Sequence, residues 1–187
     1  MLRKDSYPKL YAGVDESNHG YDHEVFTIVV SPFKVDAEIY LTNKQTRVTE
    51  QNKAKRLWNP LQKRAYKYAL VNRAHYEKYG QHQLIKEVVR ELVTAIRPDY
   101  DTIEIFIDGH LTSQQRGATK REVAKIACLR YPEVGIHSVP KRKNKEGMFK
   151  TNYLLSTADS LANFLFRNYN TPDLERGGIS RNRVSFN

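Results

Sequence analysis

The sequence predicts an α/β fold in which a mixed sheet carries helices on both faces. Three observations carry that expectation. Two apolar, β-branched segments near the N-terminus are separated by a short turn. A long stretch from residue 84 repeats apolar residues at helical spacing. After it, brief Ile- and Val-rich segments alternate with further helical patterns.

Each element follows from local residues. Leu10 to Glu16 reads as a first strand and Glu24 to Ser31 as a second. The turn Ser17-Asn18-His19-Gly20 is short enough to make the pair an antiparallel hairpin. Residues 43 to 64 predict helix in part, with Pro60 a break or a helix start. Ala65 to Asn72 fits an extension of that helix or a third strand, and a strand is preferred. Leu84, Ile85, Val88, Val89, Leu92, Val93 and Ile96 form one apolar helical stripe that Pro98 ends. Thr102 to Asp108 is a strand with Ile103, Ile105 and Ile107 on one face. Thr119-Lys120-Arg121-Glu122 fits a capping box opening a helix to about Arg130, with Cys128 inside it as a small apolar residue. Val134 to Val139 is the last strand, and Lys150 to Tyr169 the last helix. Leu154, Leu155, Ala158, Leu161, Ala162 and Leu165 form that helix's core stripe.

Composition narrows the class. A chain of 187 residues makes one domain over 1 to 169 with a basic tail from Asn170 to Asn187, expected as a flexible end. No repeat or linker interrupts it. Hydrophobic residues at 40% exclude a wholly disordered chain. The longest apolar stretch, around Phe26 to Val30, is too short to cross a bilayer, and no apolar signal core follows Met1. One cysteine excludes an internal disulfide framework and suits a reducing, cytoplasmic setting.

The formal charge of +10 is unevenly spread. Residues 1 to 42 hold four basic and seven acidic residues, a net of −3. Residues 43 to 80 hold ten basic residues against Glu50 and Glu77, a net of +8. Lys53, Lys55, Arg56, Lys63 and Arg64 stand there, with Trp58, Tyr66, Tyr68, Tyr76 and Tyr79 interleaved. Basic residues track phosphates, and aromatic faces stack on bases, so nucleic acid is the expected partner. The competing expectation is a solvated basic face with core aromatics. Lys141, Arg142 and Lys143 form a second basic cluster after Pro140.

Three acidic positions point to chemistry. Asp15-Glu16 ends the first strand, and Asp108 ends the Ile-Phe-Ile strand before Gly109. Carboxylates at strand ends sit at the rim where open α/β sheets bind ligands. Strand neighbours face opposite ways, so Asp15 is the natural partner of Asp108, while Glu16 reaches around from the turn. Asp159 lies on the edge of the last helix's apolar stripe, where a charge needs a partner or a metal. Converging carboxylates repel, and a hard divalent cation, Mg²⁺ or Mn²⁺, relieves the repulsion. Taken singly, Asp15 and Asp108 are ordinary turn aspartates and Asp159 an ion-pair partner. His19 and His110 adjoin the acidic motifs as rim residues able to touch phosphate. No Gly-rich phosphate loop, cysteine pair or serine-nucleophile signature offers another chemistry.

These motifs resemble a known superfamily. The run Tyr11-Ala12-Gly13-Val14-Asp15-Glu16-Ser17-Asn18-His19-Gly20 resembles the Gly-Val-Asp-Glu-Ala-Gly-Arg-Gly opening of type 2 ribonucleases H. Tyr66 to Val71 is similar to their third strand, and Ile105-Phe106-Ile107-Asp108-Gly109 to their Asp-Gly strand end. Thr157-Ala158-Asp159-Ser160-Leu161-Ala162 resembles the Ala-Asp-Leu-x-Ala helix of uncharacterised ribonuclease H-like proteins that open with Asp-Glu-Ser. The shared order covers residues 10 to about 169. The resemblance implies a mixed five-stranded sheet with an antiparallel second strand, and two-metal hydrolysis of phosphodiesters. Asp15, Glu16, Asp108 and Asp159 would be the metal ligands. RNA in an RNA/DNA hybrid is the first implied substrate and a structured DNA such as a junction the second. A nucleic-acid-binding module without catalysis is the alternative. Asn18-His19-Gly20 stands where the type 2 enzymes have Gly-Arg-Gly, so their junction specificity does not carry over. Their fourth carboxylate lies further upstream, which makes Glu146 the runner-up to Asp159.

Overall fold

Apolar residues on both faces of the central strands require cover on both sides, and the chain supplies it. The computed structural model describes residues 8–17, 23–42, 65–96, 99–140, 144–168 and 179–186. The strands are β1 (Lys9–Ser17), β2 (His23–Ser31), β3 (Tyr40–Thr42), β4 (Ala65–Asn72), β5 (Thr102–Asp108), β6 (Val134–Val139), β7 (Phe149–Thr151) and β8 (Arg183–Val184). The helices are α1 (Arg73–Tyr79), α2 (Gln81–Ile96), α3 (Ser113–Ile126) and α4 (Tyr153–Asn168).

Six strands form the main sheet in the order β6-β5-β1-β2-β4-β8, and β3 and β7 form a separate two-stranded ladder. The strands β1, β5 and β6 run parallel, while β2 is antiparallel to both neighbours, β1 and β4. The expected antiparallel second strand and its hairpin are present. The expected five strands become six, because β8 pairs in parallel with β4 at Tyr68↔Arg183 and Ala69↔Val184.

Alternation along β1 sorts the core into two layers. Leu10, Ala12 and Val14 face α2 and α3, meeting Leu84, Val88, Val89, Leu92 and Val93 of α2 and Val123 of α3. On the other face α4 packs Leu154, Ala158, Leu161 and Leu165 against Val25 and Val29 of β2 and Tyr68 of β4. The interleaved tyrosines belong to these layers. Tyr68 is buried, Tyr66 packs beside it, and Tyr76 and Tyr79 pack on the opposite core. Burial raises the Tyr66 and Tyr68 hydroxyls above the ordinary tyrosine range. These four rings therefore fit the core-aromatic expectation rather than base stacking.

Several boundaries differ from expectation for identifiable reasons. The third helix opens at Thr112, not Thr119. Thr112 Oγ1 accepts from Gln115 N at 3.2 Å, and Gln115 Oε1 accepts from Thr112 N at 2.9 Å, a complete capping box. Thr119 is fully buried and donates back to Gln115 O at 2.9 Å, so its hydroxyl is spent inside the helix. That helix stops at Ile126, and Cys128 follows it exposed, with φ 54°. Leu129 N reaches Ala124 O at 2.9 Å and Cys128 N reaches Lys125 O at 3.3 Å, closing a Schellman turn. Lys150 belongs to β7 rather than to α4, whose first turn Asn152 caps through Leu155 N at 2.8 Å. Residues 179–186 are not a free end. Phe186 is buried against His75 and Tyr79, and its carbonyl lies 2.8 Å from His75 Nε2. Residues 43 to 64 lie outside the described residues, so the helix expected there is untested. Among the described residues no helix is long and apolar enough to cross a membrane.

The backbones of β1 and α4 approach closely at Gly13. A Cβ there would stand 2.5 Å from the Leu154 carbonyl carbon and 2.7 Å from Leu155 N, both backbone atoms that cannot rotate away. We expect Gly13→Ala to destabilise the fold by about 1–3 kcal/mol through overpacking. A lower urea midpoint at unchanged slope would register it. An unchanged midpoint would contradict the close seat of α4 on β1.

Candidate active site

Parallel pairing sets the two strand-end aspartates side by side. The last registered β1–β5 pair is Val14↔Ile107, and Asp15 and Asp108 each follow it by one residue. Adjacent strands lie about 4.8 Å apart, and side-by-side residues point to one face. That face carries α4, since Tyr11 and Phe106, of the same parity, belong to the α4 layer. Asp15 is 3% exposed and its Oδ1 accepts Glu16 N at 2.8 Å. Gly109, at φ 98°, turns the chain directly after Asp108. β6 pins this turn: Gly109 N reaches Val139 O at 3.2 Å, and Ser138 Oγ donates to Gly109 O at 2.7 Å.

The α4 helix carries the third aspartate. Leu154 sits over Gly13, and one helical turn later Ala158 reaches β2, its carbonyl accepting Thr27 Oγ1 at 2.9 Å. Thr27 is the registered partner of Asp15. Asp159 follows Ala158, half-buried at the helix edge, and its Oδ1 accepts Asn163 Nδ2 at 3.1 Å. The helix thus runs towards the strand ends that hold Asp15 and Asp108. Glu146, the runner-up, sits exposed in a turn organised by Asn144, whose Oδ1 accepts Glu146 N at 3.0 Å.

Glu16 is expected with the aspartates, but the strand continues through Ser17 and alternation turns it the other way. Its charge acts on Tyr76, on the α2 side of the sheet. Tyr76 donates a short hydrogen bond to Glu24, itself only 4% exposed. Burial first, then that bond and the charges of Glu24 and Glu16, push the Tyr76 hydroxyl far above the ordinary tyrosine range.

Carboxylate oxygens on one face suit a hard divalent cation, and Asp15, Asp108 and Asp159 would be the residues to hold one. Among the described residues no group of three or more His, Cys, Asp or Glu side chains is close enough to bind a metal as placed. The backbone fixes the shared face, and side-chain rotation would have to close the remaining distance. His19, Lys53, Lys55, Arg56, Lys63, Arg64, Lys141, Arg142 and Lys143 lie outside the described residues. Thr27 and Asn163 are contacts that the sequence reading missed. A hydroxyl between two valines in the inward row Val25, Thr27, Val29 was the available signal for Thr27.

Neither family models nor curated protein sequences match the chain. Among solved structures it is similar to a chain in the structure of the PCNA:RNase HII complex from Archaeoglobus fulgidus. The TM-score is 0.57 at 14% identity, covering 90% of this chain and 78% of that one. The fold is ribonuclease H-like.

On the same sheet face, four residues before Asp108 along β5, Glu104 pairs with His137 at 2.5 Å, and the His137 ring stacks on Phe106. Gly135 leaves the room, since a Cβ there would collide with the Glu104 carboxylate. The His137 hydrogen bond holds Glu104 below the ordinary carboxylate range, against partial burial and with help from the charges of His137, Lys9 and Lys120. A carboxylate lowered in the folded state stabilises above its unfolded pKa, and that stability is lost as pH falls through the folded value. We expect His137→Ala to flatten the fall in urea midpoint between about pH 6 and about pH 3. Parallel pH profiles for the variant and the wild type would contradict the pairing.

Proposed function

We propose that this chain is a nuclease dependent on Mg²⁺ or Mn²⁺ that hydrolyses phosphodiester bonds. The observation that carries the reading is the placement of Asp15 and Asp108 at adjacent parallel strand ends, on the face that α4 covers. The ribonuclease H-like fold and the similarity to a chain of the RNase HII complex support it. Asp15, Asp108 and Asp159 would hold the cations, in preference to Glu146, and Glu16 would serve from the other side of the strand only if the chain turned there. Bound divalent cations would polarise the scissile phosphate and supply an activated water at neutral pH.

The remaining work falls to the protein's own groups. The Glu16 N–H hydrogen-bonds Asp15 Oδ1, and the backbone turn at Gly109, directly after Asp108, is pinned to β6. Burial of Asp15 keeps bulk water from competing for its oxygens. Lys53, Lys55, Arg56, Lys63, Arg64, Lys141, Arg142, Lys143 and His19 would grip the phosphates. RNA in an RNA/DNA hybrid is the first substrate in this reading and a DNA junction the second. A cytoplasmic setting suits the exposed thiol of the lone Cys128.

Cleavage of labelled hybrid, duplex, single-strand and junction substrates, with and without Mn²⁺, tests the proposal. Wild-type protein should cleave at least one of them only with the metal. Asp15→Asn and Asp108→Asn should each lose more than about 100-fold, the upper end for substitutions that merely support a ligand. Binding measured by fluorescence anisotropy should persist in both variants. Wild-type protein that binds nucleic acid but cleaves none of the four substrates would leave a binding module instead.

A further inference from the structure

Position 27 is an anomaly in its surroundings. Its neighbours on the same face of β2, Val25 and Val29, are fully buried, and so is Thr27. A valine would fill the same volume without burying a hydroxyl. The fold does not need this hydroxyl to satisfy Ala158 O, because a mid-helix carbonyl already serves the helix ladder. What distinguishes the hydroxyl is its address. It donates to Ala158 O at 2.9 Å, on the peptide that leads into Asp159. It also lies 3.4 Å from Asp15 O, on the peptide that leads out of Asp15. One buried group therefore touches the main chain at Asp15 and at the residue before Asp159, on segments more than a hundred residues apart in sequence.

The structure assigns Thr27 as a positioning residue that fixes α4 against β1 so that Asp159 and Asp15 serve one site. Gly13 sets how close the helix comes, since its missing Cβ admits the Leu154 backbone. A smooth contact of that kind limits approach but does not prevent sliding along the strand. The directed bond from Thr27 to Ala158 O fixes the helix along that axis. Thr27 faces protein on every side and touches no substrate, so it acts only through the two aspartates. This assignment rests on the nuclease reading, and it adds a residue to that reading which carries no charge and stands outside every motif.

The test compares wild type, Thr27→Val and Thr27→Ser by Mn²⁺ titration calorimetry, steady-state cleavage and thermal melting. Valine keeps shape and burial but removes the directed bond, so Thr27→Val should melt within about 4 °C of wild type. Its Mn²⁺ affinity and kcat should each fall about 10–100-fold, the range for groups that orient metal ligands, with KM for nucleic acid unchanged. Thr27→Ser, which keeps the hydroxyl, should recover most of both. Wild-type affinity and kcat in Thr27→Val would overturn the assignment while leaving the nuclease reading intact. A larger loss of melting temperature in Thr27→Val, or a Thr27→Ser variant as defective as Thr27→Val, would make the residue merely structural and overturn it too. Wild-type protein that neither binds Mn²⁺ nor cleaves would overturn the nuclease reading and the assignment together.

Discussion

The fold's candidate chemistry depends on one contact, the backbone of α4 lying directly on β1 at Gly13. Any side chain at that position would lift the helix, because the atoms it meets are the Leu154 carbonyl carbon and the Leu155 nitrogen. Lifting the helix would carry Asp159 away from the strand ends. Burial provides the force that holds the helix down. Leu154, Leu161 and Leu165 are fully buried, each contributing roughly 1.5–3 kcal/mol. The Thr27 bond contributes about 1 kcal/mol and cannot compete with that sum. Packing therefore decides that α4 stays on the sheet, and the small directed bond decides where along the sheet it stays.

The two faces of the sheet have separate duties. On one, α2 and α3 close over Leu10, Ala12, Val14 and the three isoleucines of β5 in a broad apolar layer. That layer reaches the strand ends with a protonated tyrosine, Tyr76, bonded to a buried glutamate, Glu24, and with Glu16 nearby. On the other face the layer is narrower, and its row of polar positions carries Asp15, Thr27, Asp108 and Asp159. Asp15 and Glu16 are consecutive in sequence, yet the pleat sends them to different faces. A single strand end thus supplies a carboxylate to each side.

Much of this was legible in the residues because the patterns were local. β-Branched and aromatic residues marked β2, alternation marked β5, helical spacing marked α2 and α4, and a carboxylate before Gly109 marked the rim. Parallel pairing of β1 with β5, seen in the structure, then set Asp15 beside Asp108. The missed features share a different cause: they depend on which segments meet. Thr112 and Thr119 both open a capping-box pattern, and only tertiary burial of Thr119 decides between them. β3 and β7 are three residues each and pair across a hundred positions, so neither carries a pattern of its own. β8 is two residues long and holds because Phe186 beyond it finds a pocket against His75 and Tyr79. Glu16 was assigned to the metal group by motif likeness, although the two-residue period already sent it away from Asp15. Thr27 stood outside every motif because its meaning lies in a helix 131 residues away.

The central claim is that the ends of β1 and β5 and the edge of α4 form one cation site. Anomalous diffraction from crystals soaked in Mn²⁺ tests it most directly, because manganese is located without reference to activity. The account predicts an anomalous peak within coordination distance of carboxylate oxygens of both Asp15 and Asp108, with Asp159 facing it. Manganese bound elsewhere, or a peak that touches Asp108 alone while Asp15 remains buried away from it, would contradict the account.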